Sequence, residues 1–274
     1  GPWLELNEVC QAVTTADLIQ SMRGRAGDAW PWIERALERL RRSRTRPAVA
    51  EFLIHRARAA LAAIGREVTD DPWLSAQLAA VSPRDPGRGF HRLLSWSPRA
   101  RYYLEKGELG AELEELVHAF QAEGHNPRSV HVAVVEYYIS IAHARIHQVL
   151  RERPRSRAAR LPALRAAVAD LGASARFPLA KAHHLVAEGY LAWFEGKTEL
   201  AAKHLVKAEA LATQQNCPWV LYASARAHAH MLRAAGKEEA ARDKARVARL
   251  YAREHGAVTR ARWIDEEFGF ADPV

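Results

Sequence analysis

The sequence predicts an all-α protein of about 11–13 helices, stacked as antiparallel pairs in an extended array. Three observations carry this. One helix-turn-helix pattern is written twice about forty residues apart: Gly196-Lys197-Thr198-Glu199-Leu200-Ala201 opens one copy and Gly236-Lys237-Glu238-Glu239-Ala240-Ala241 the next. Ala, Leu, Arg and Glu, all strong helix formers, dominate the chain, and alternating β-branched runs are missing. Proline and glycine then punctuate the pattern at helical intervals, with four Pro-Trp pairs among the marks.

The elements follow in order. A helix over 4–22 follows Pro2-Trp3 and ends at Gly24 to Gly27. The next runs over 31–43, with Pro31 in its first turn and Asp28 just upstream as a cap, and stops before Pro47. Helices over 48–65 and 72–81 come next, the second opened by Asp71-Pro72-Trp73. Pro83, Asp85, Pro86 and Gly87 break the rhythm between Val81 and Gly89, which marks an internal boundary or a long loop. On that basis 1–97 is an N-terminal helical region and 98–274 the array.

Pro98 is read as the start of a helix over 98–106, which Gly107 ends. Helices over 109–123 and 128–152 follow, the latter absorbing the apolar run Val130 to Val135. After the turn at Arg153 to Arg155 come 156–172, 178–195, 198–214, 219–235, 238–254 and 257–267. Asn216 is read as a cap for the helix that Pro218-Trp219 opens. The connections are short, so neighbouring helices are antiparallel and adjacent.

Within the repeat, small residues recur where paired helices cross: Gly189 and Ala229 on the first helices, Ala201 and Ala241 on the second. With Gly196 in the turn, Ala201, Leu205 and Ala208 take small, large and small positions, and a weaker copy follows Gly107 at Leu116, Val117 and Ala119. In this frame the chain resembles the tetratricopeptide (TPR) family, well over 178–268 and faintly over 98–152. The late aromatic of the first helix is replaced by Ala192 and Leu232, Thr213 stands where the closing proline belongs, and the spacing exceeds the family's thirty-four or so residues. Longer units of this kind look like those of large bacterial signalling proteins with ATPase, kinase or cyclase modules. The resemblance implies a right-handed superhelical α-solenoid that binds a protein or peptide. Gly1-Pro2 in place of an initiator Met reads as the remnant of a cleaved tag, so an attached effector domain is expected outside this chain.

Composition bounds the setting. No apolar run reaches the length of a membrane span, and no export signal opens the chain. Two distant cysteines, Cys10 and Cys217, make no disulfide framework and point to the cytoplasm. A formal charge of +8 concentrates at Arg39 to Arg46 and Arg151 to Arg157. These Arg-rich turns support the alternative reading, a nucleic-acid-binding helical array, against the simpler one of solvated helix ends.

Catalytic signals are weak. Gly196-Lys197-Thr198 lacks the upstream glycine of a P-loop, and Lys197 recurs as Lys237, as a turn residue would. His143 and His147 share a helix face, as do His184 and Glu188, yet no third or fourth ligand accompanies them in sequence. Asp265, Glu266 and Glu267 read as a solvated face. No enzyme, metal or cofactor is expected. The candidate partner-binding residues are Tyr138, Arg145, Lys181, His184, Tyr190, Lys203, Tyr222, Arg226 and His230, placed along a concave face where rigid aromatics and arginine anchors would hold a peptide.

Overall fold

The computed structural model describes residues 2–44, 47, 49–80 and 90–270, and within them the protein is all-helical, with thirteen α-helices and no strand. They are α1 (Pro2–Arg23), α2 (Ala26–Arg42), α3 (Ala50–Ala63), α4 (Pro72–Ala80), α5 (Phe90–Lys106), α6 (Ala111–Ala122) and α7 (Val135–Arg151). The series continues with α8 (Leu161–Ser174), α9 (Pro178–Phe194), α10 (Thr198–Gln215), α11 (Pro218–Ala234), α12 (Glu238–Glu254) and α13 (Val258–Phe268). No helix of the described residues is long and apolar enough to cross a membrane.

The glycine turn recurs more widely than the two sequence copies indicate. At Gly196 the amide bonds Trp193 O at 2.9 Å while Lys197 N bonds Ala192 O at 2.8 Å. The same pair of bonds closes α1 at Gly24, α3 at Gly65, α5 at Gly107, α11 at Gly236 and α12 at Gly256. Each of these glycines has positive φ, which L side chains adopt at a cost. Thus α1, α3, α5, α9, α11 and α12 end alike, and the odd-numbered helices from α1 to α11 pack each on the next odd one as well as on a sequence neighbour. The pairing extends to the N-terminus, and the expected array start at residue 98 falls inside α5.

Several expected boundaries shift for local reasons. Helix α2 begins at Ala26, so Asp28 lies within it, paired with Arg25, and Pro31 sits in its second turn. Asn216 adopts the left-handed conformation (φ 50°) and terminates α10 instead of capping α11. Asp71 does cap, accepting the Leu74 amide at 3.0 Å. Pro98 lies mid-helix in α5; the neighbouring Ser97 hydroxyl donates to Ala133 O at 2.6 Å and accepts from Tyr137 N, tying this stretch to α7. The run at Val132–Val134 is a 3-10 turn before α7, and Pro154–Ala159 forms another before α8. The expected loop at Val81 to Gly89 lies outside the described residues.

Small residues let the pairs approach. A Cβ on Gly189 would stand 2.8 Å from Leu205 Cδ2, and Ala201, Ala208, Ala229, Ala241 and Ala248 are wholly buried. A smaller core at the N-terminus gathers Leu6, Cys10, Ile33, Leu37, Leu53 and Leu74. The larger core runs from α5 onward and takes in Leu18 and Met22 from α1. Helix α1 therefore spans both, touching α7, α9 and α11, while α13 reaches back to α5.

Charge is buried at these junctions. Asp17 and Ser21 of α1, Arg56 of α3, Arg101 of α5 and Glu136 of α7 form one network with essentially no exposure. Arg56 donates to Asp17, to Glu136 Oε2 at 2.8 Å and to Ser21 Oγ at 2.9 Å. Burial works against its charge, yet Asp17 and then Glu136 outweigh it and hold its pKa above the ordinary value. Arg260 of α13 pairs in the same way with Glu105 of α5.

Candidate functional site

The nine residues expected on one concave face fall into four environments. Tyr190, Tyr222, Arg226 and His230 are buried, facing other helices rather than an open groove. Lys181 and Lys203 are exposed, with no ion pair among the described residues. His184 is half-buried and faces Glu188, which also lies 3.3 Å from His204 Nδ1. Tyr138 and Arg145 line an open cleft between α6, α7 and α8.

Three of the buried residues, Tyr222, Arg226 and His230, hold α13 in place, and Tyr190 ties α9 to α11. Arg226 takes the Glu267 carboxylate with two nitrogens, Nε at 2.9 Å, and His230 Nε2 stands 2.9 Å from the same group. Burial opposes the Glu267 charge, but Arg226 and then His230 hold its carboxyl well below the usual range. The Tyr222 hydroxyl donates to Arg260 O and the Tyr190 hydroxyl to Ala223 O. Glu267, expected on a solvated face, thus turns inward. Asp265 also leaves that face, pairing with Arg249 of α12 at 2.6 Å, and only Glu266 stays exposed, because consecutive helical positions differ by about 100° in direction.

The histidines are engaged with one another and with backbone. His183 Nε2 lies 2.6 Å from Met22 O, so it carries the proton and donates, which leaves Nδ1 to accept from His143 Nε2 at 3.0 Å. His147 stacks on Trp263 with ring centroids 3.7 Å apart and accepts from Arg226 at 2.8 Å. Burial lowers all three pKa values, His183 to about 3 and His147 to about 2. Cys217 sits beside His183 with its thiol pushed up to about 12 by burial, far from a reactive thiolate. Among the described residues no three His, Cys, Asp or Glu side chains are placed to share a metal ion.

The α6–α8 cleft has different chemistry. It encloses about 220 Å³ and is lined by Phe120, Tyr137, Tyr138, Arg145, Asp170 and several small residues including Ala163 and Ala166. Phe120 stacks on Tyr137 with centroids 3.9 Å apart, and both meet Tyr138 edge-on at 5.7 and 5.4 Å. Arg145 is committed to Glu114 through both terminal nitrogens and to Gln148 at 2.9 Å. Asp170 has no ion pair or hydrogen bond among the described residues, and burial raises its pKa. The Tyr138 hydroxyl is buried without a hydrogen-bond partner.

Sequence reasoning named Tyr138 and Arg145 but missed Phe120 and Asp170. Their signal was available only in three dimensions, because the cleft draws on three helices whose registers no pattern specifies. No protein-family model matches the chain, and no curated protein or solved structure is significantly similar to it.

Proposed function

We propose that this chain is a non-catalytic protein- or peptide-binding domain of a larger bacterial regulatory protein, a TPR-like α-solenoid whose docking site is the α6–α8 cleft. One observation carries the reading: an open, aromatic-lined cleft holds the buried Tyr138 phenol, without a hydrogen-bond partner, and the half-buried Asp170 carboxylate, without an ion pair among the described residues. Buried polar groups are normally paired, so the Tyr138 orphan beside an unpaired carboxylate in one open site points to an external partner. At about 220 Å³ the cleft is smaller than the roughly 300–1,000 Å³ of typical small-molecule sites. It suits one anchoring side chain of a larger ligand, in the manner of an interface hot spot. The recurring glycine turn supports the array, since one turn geometry closes six helices, five of them the first of a sequential pair.

A selection from a displayed peptide library tests this, run against the chain and against an Ala166→Trp variant that fills the cleft. Peptides enriched on the first and lost on the second support the reading. Peptides indifferent to the substitution, or no enrichment at all, overturn the cleft as the docking site.

Nucleic-acid binding is the second reading, and one observation favours it. Arg153 and Arg155 stand exposed on the 3-10 turn before α8 with no carboxylate partner among the described residues. The first Arg-rich run offers less, since Arg41 and Arg42 are paired with Asp71 and Glu38, and its residues 45 and 46 lie outside the described residues. A labelled oligonucleotide retained at low salt and released steeply as salt rises would favour this reading; no retention at low salt removes it.

A further inference from the structure

We infer that the α6–α8 cleft recognises an organic cation, the guanidinium or ammonium end of an arginine or lysine side chain, paired with the Asp170 carboxylate beside the wall that Tyr137 and Tyr138 form. The inference rests on the cleft being a docking site and names what docks there.

Charge decides against the alternatives. Arg145 is the cation of the lining, and Glu114 neutralises it through both terminal nitrogens. His125 is held by Glu123 Oε2 at 2.6 Å. That leaves the Asp170 charge unanswered, and it acts on both Tyr137 and Tyr138, whose phenols are raised first by burial and also by that carboxylate. An anionic ligand would meet Asp170 with nothing free to compensate it. A neutral apolar ligand would leave Asp170 more deeply buried and still unpaired, which is the costly outcome. A cation pairs with the carboxylate. The Tyr138 hydroxyl, unpartnered and almost fully buried, accepts a hydrogen bond from the same group.

Guanidinium and ammonium groups on a short alkyl stem share this chemistry, and the cleft volume admits either. The aromatic cluster is preorganised: Phe120, Tyr137 and Tyr138 are each at most 4% exposed and fix one another by stacked and edge-on contacts. Ligand binding therefore costs little side-chain ordering.

The test is an NMR titration of the whole chain with n-butylguanidinium and with n-butylurea, its neutral isostere. The cation is expected to perturb α6–α8 resonances saturably and the urea at least about tenfold more weakly, the order of one charge-assisted contact. Asp170→Asn is expected to weaken the cation about tenfold, and Tyr138→Phe by a smaller factor. Asp170→Asn removes a half-buried, unpaired charge, so its thermal midpoint is expected at or above that of the parent. Equal binding of the urea, unchanged binding by Asp170→Asn, or no saturable shift with either probe overturns the inference. If library peptides are nonetheless lost with Ala166→Trp, the cleft stands as a docking site and the cation alone is wrong.

Discussion

Replacing Arg56 with Met tests the account of how α1 is held. The guanidinium sits at the centre of a balanced quartet: Arg56 and Arg101 against Asp17 and Glu136. Without it, Asp17 and Glu136 retain Arg101, whose Nη1 stands 3.4 Å from Asp17 and 3.7 Å from Glu136, and the Ser21 hydroxyl. One buried negative charge is then uncompensated, in a place with no exposure to water. Breaking a buried pair in this way costs about 3–5 kcal/mol, a large part of the roughly 5–15 kcal/mol that keeps a domain folded. Pairing Arg56→Met with Glu136→Met removes one charge of each sign and leaves Arg101 against Asp17. The double variant is therefore expected to fall short of the summed single costs by about 1–3 kcal/mol. Urea unfolding of the four proteins at neutral pH, followed by helical circular dichroism, measures the cycle. An Arg56→Met cost below about 1 kcal/mol, or strict additivity, would refute the claim that this network anchors α1.

Two further outcomes follow from the buried histidines and the turn glycines. His143, His147 and His183 have folded pKa values depressed below the unfolded value of 6.5, so their neutral forms are fully accommodated above that pH. Below it the unfolded chain binds the protons first, and stability falls as pH drops from about 6.5 towards 4.5, before most carboxylates titrate. A urea midpoint that stays flat across that window would contradict the burial described. Gly24 has φ +83°, and a Cβ there would stand 2.6 Å from Trp219 Cβ. Gly24→Ala is expected to lower the thermal midpoint clearly more than Gly196→Ala, whose φ is also positive but whose added Cβ meets nothing within 4 Å.

The helices were legible in the sequence because their signals are local. Pro178 and Pro218 begin α9 and α11, and Gly196, Gly236 and Gly256 end their predecessors within a residue or two of expectation. Most boundaries moved for local reasons, and at Pro98 a contact across the fold had a part. Pro98 reads as a helix start, yet α5 runs through it, with Ser97 bonded to the segment around α7. The repeat before Gly107 was invisible because it is carried by backbone geometry at Gly24 and Gly65, while the flanking side chains serve other neighbours. The candidate site was half legible for the same reason. Arginine and tyrosine on α7 and α11 were visible as types, but whether each meets solvent or another helix depends on α13 and α8. Arg226 found Glu267, and Tyr138 found an open cleft.

The meeting of distant turns has a consequence for how this chain can change over time. Gly24 packs on Trp219, Gly65 on Val258 and Gly107 on Thr259, so the ends of α1, α3 and α5 abut α11 and α13. An array with contacts only between successive repeats can gain or lose one and fray from either end. Here the first helices and the last are mutual supports, so removing an internal pair would misalign both. Gain or loss of an internal pair is therefore expected to cost stability, and the two ends are expected to unfold together rather than fray one at a time.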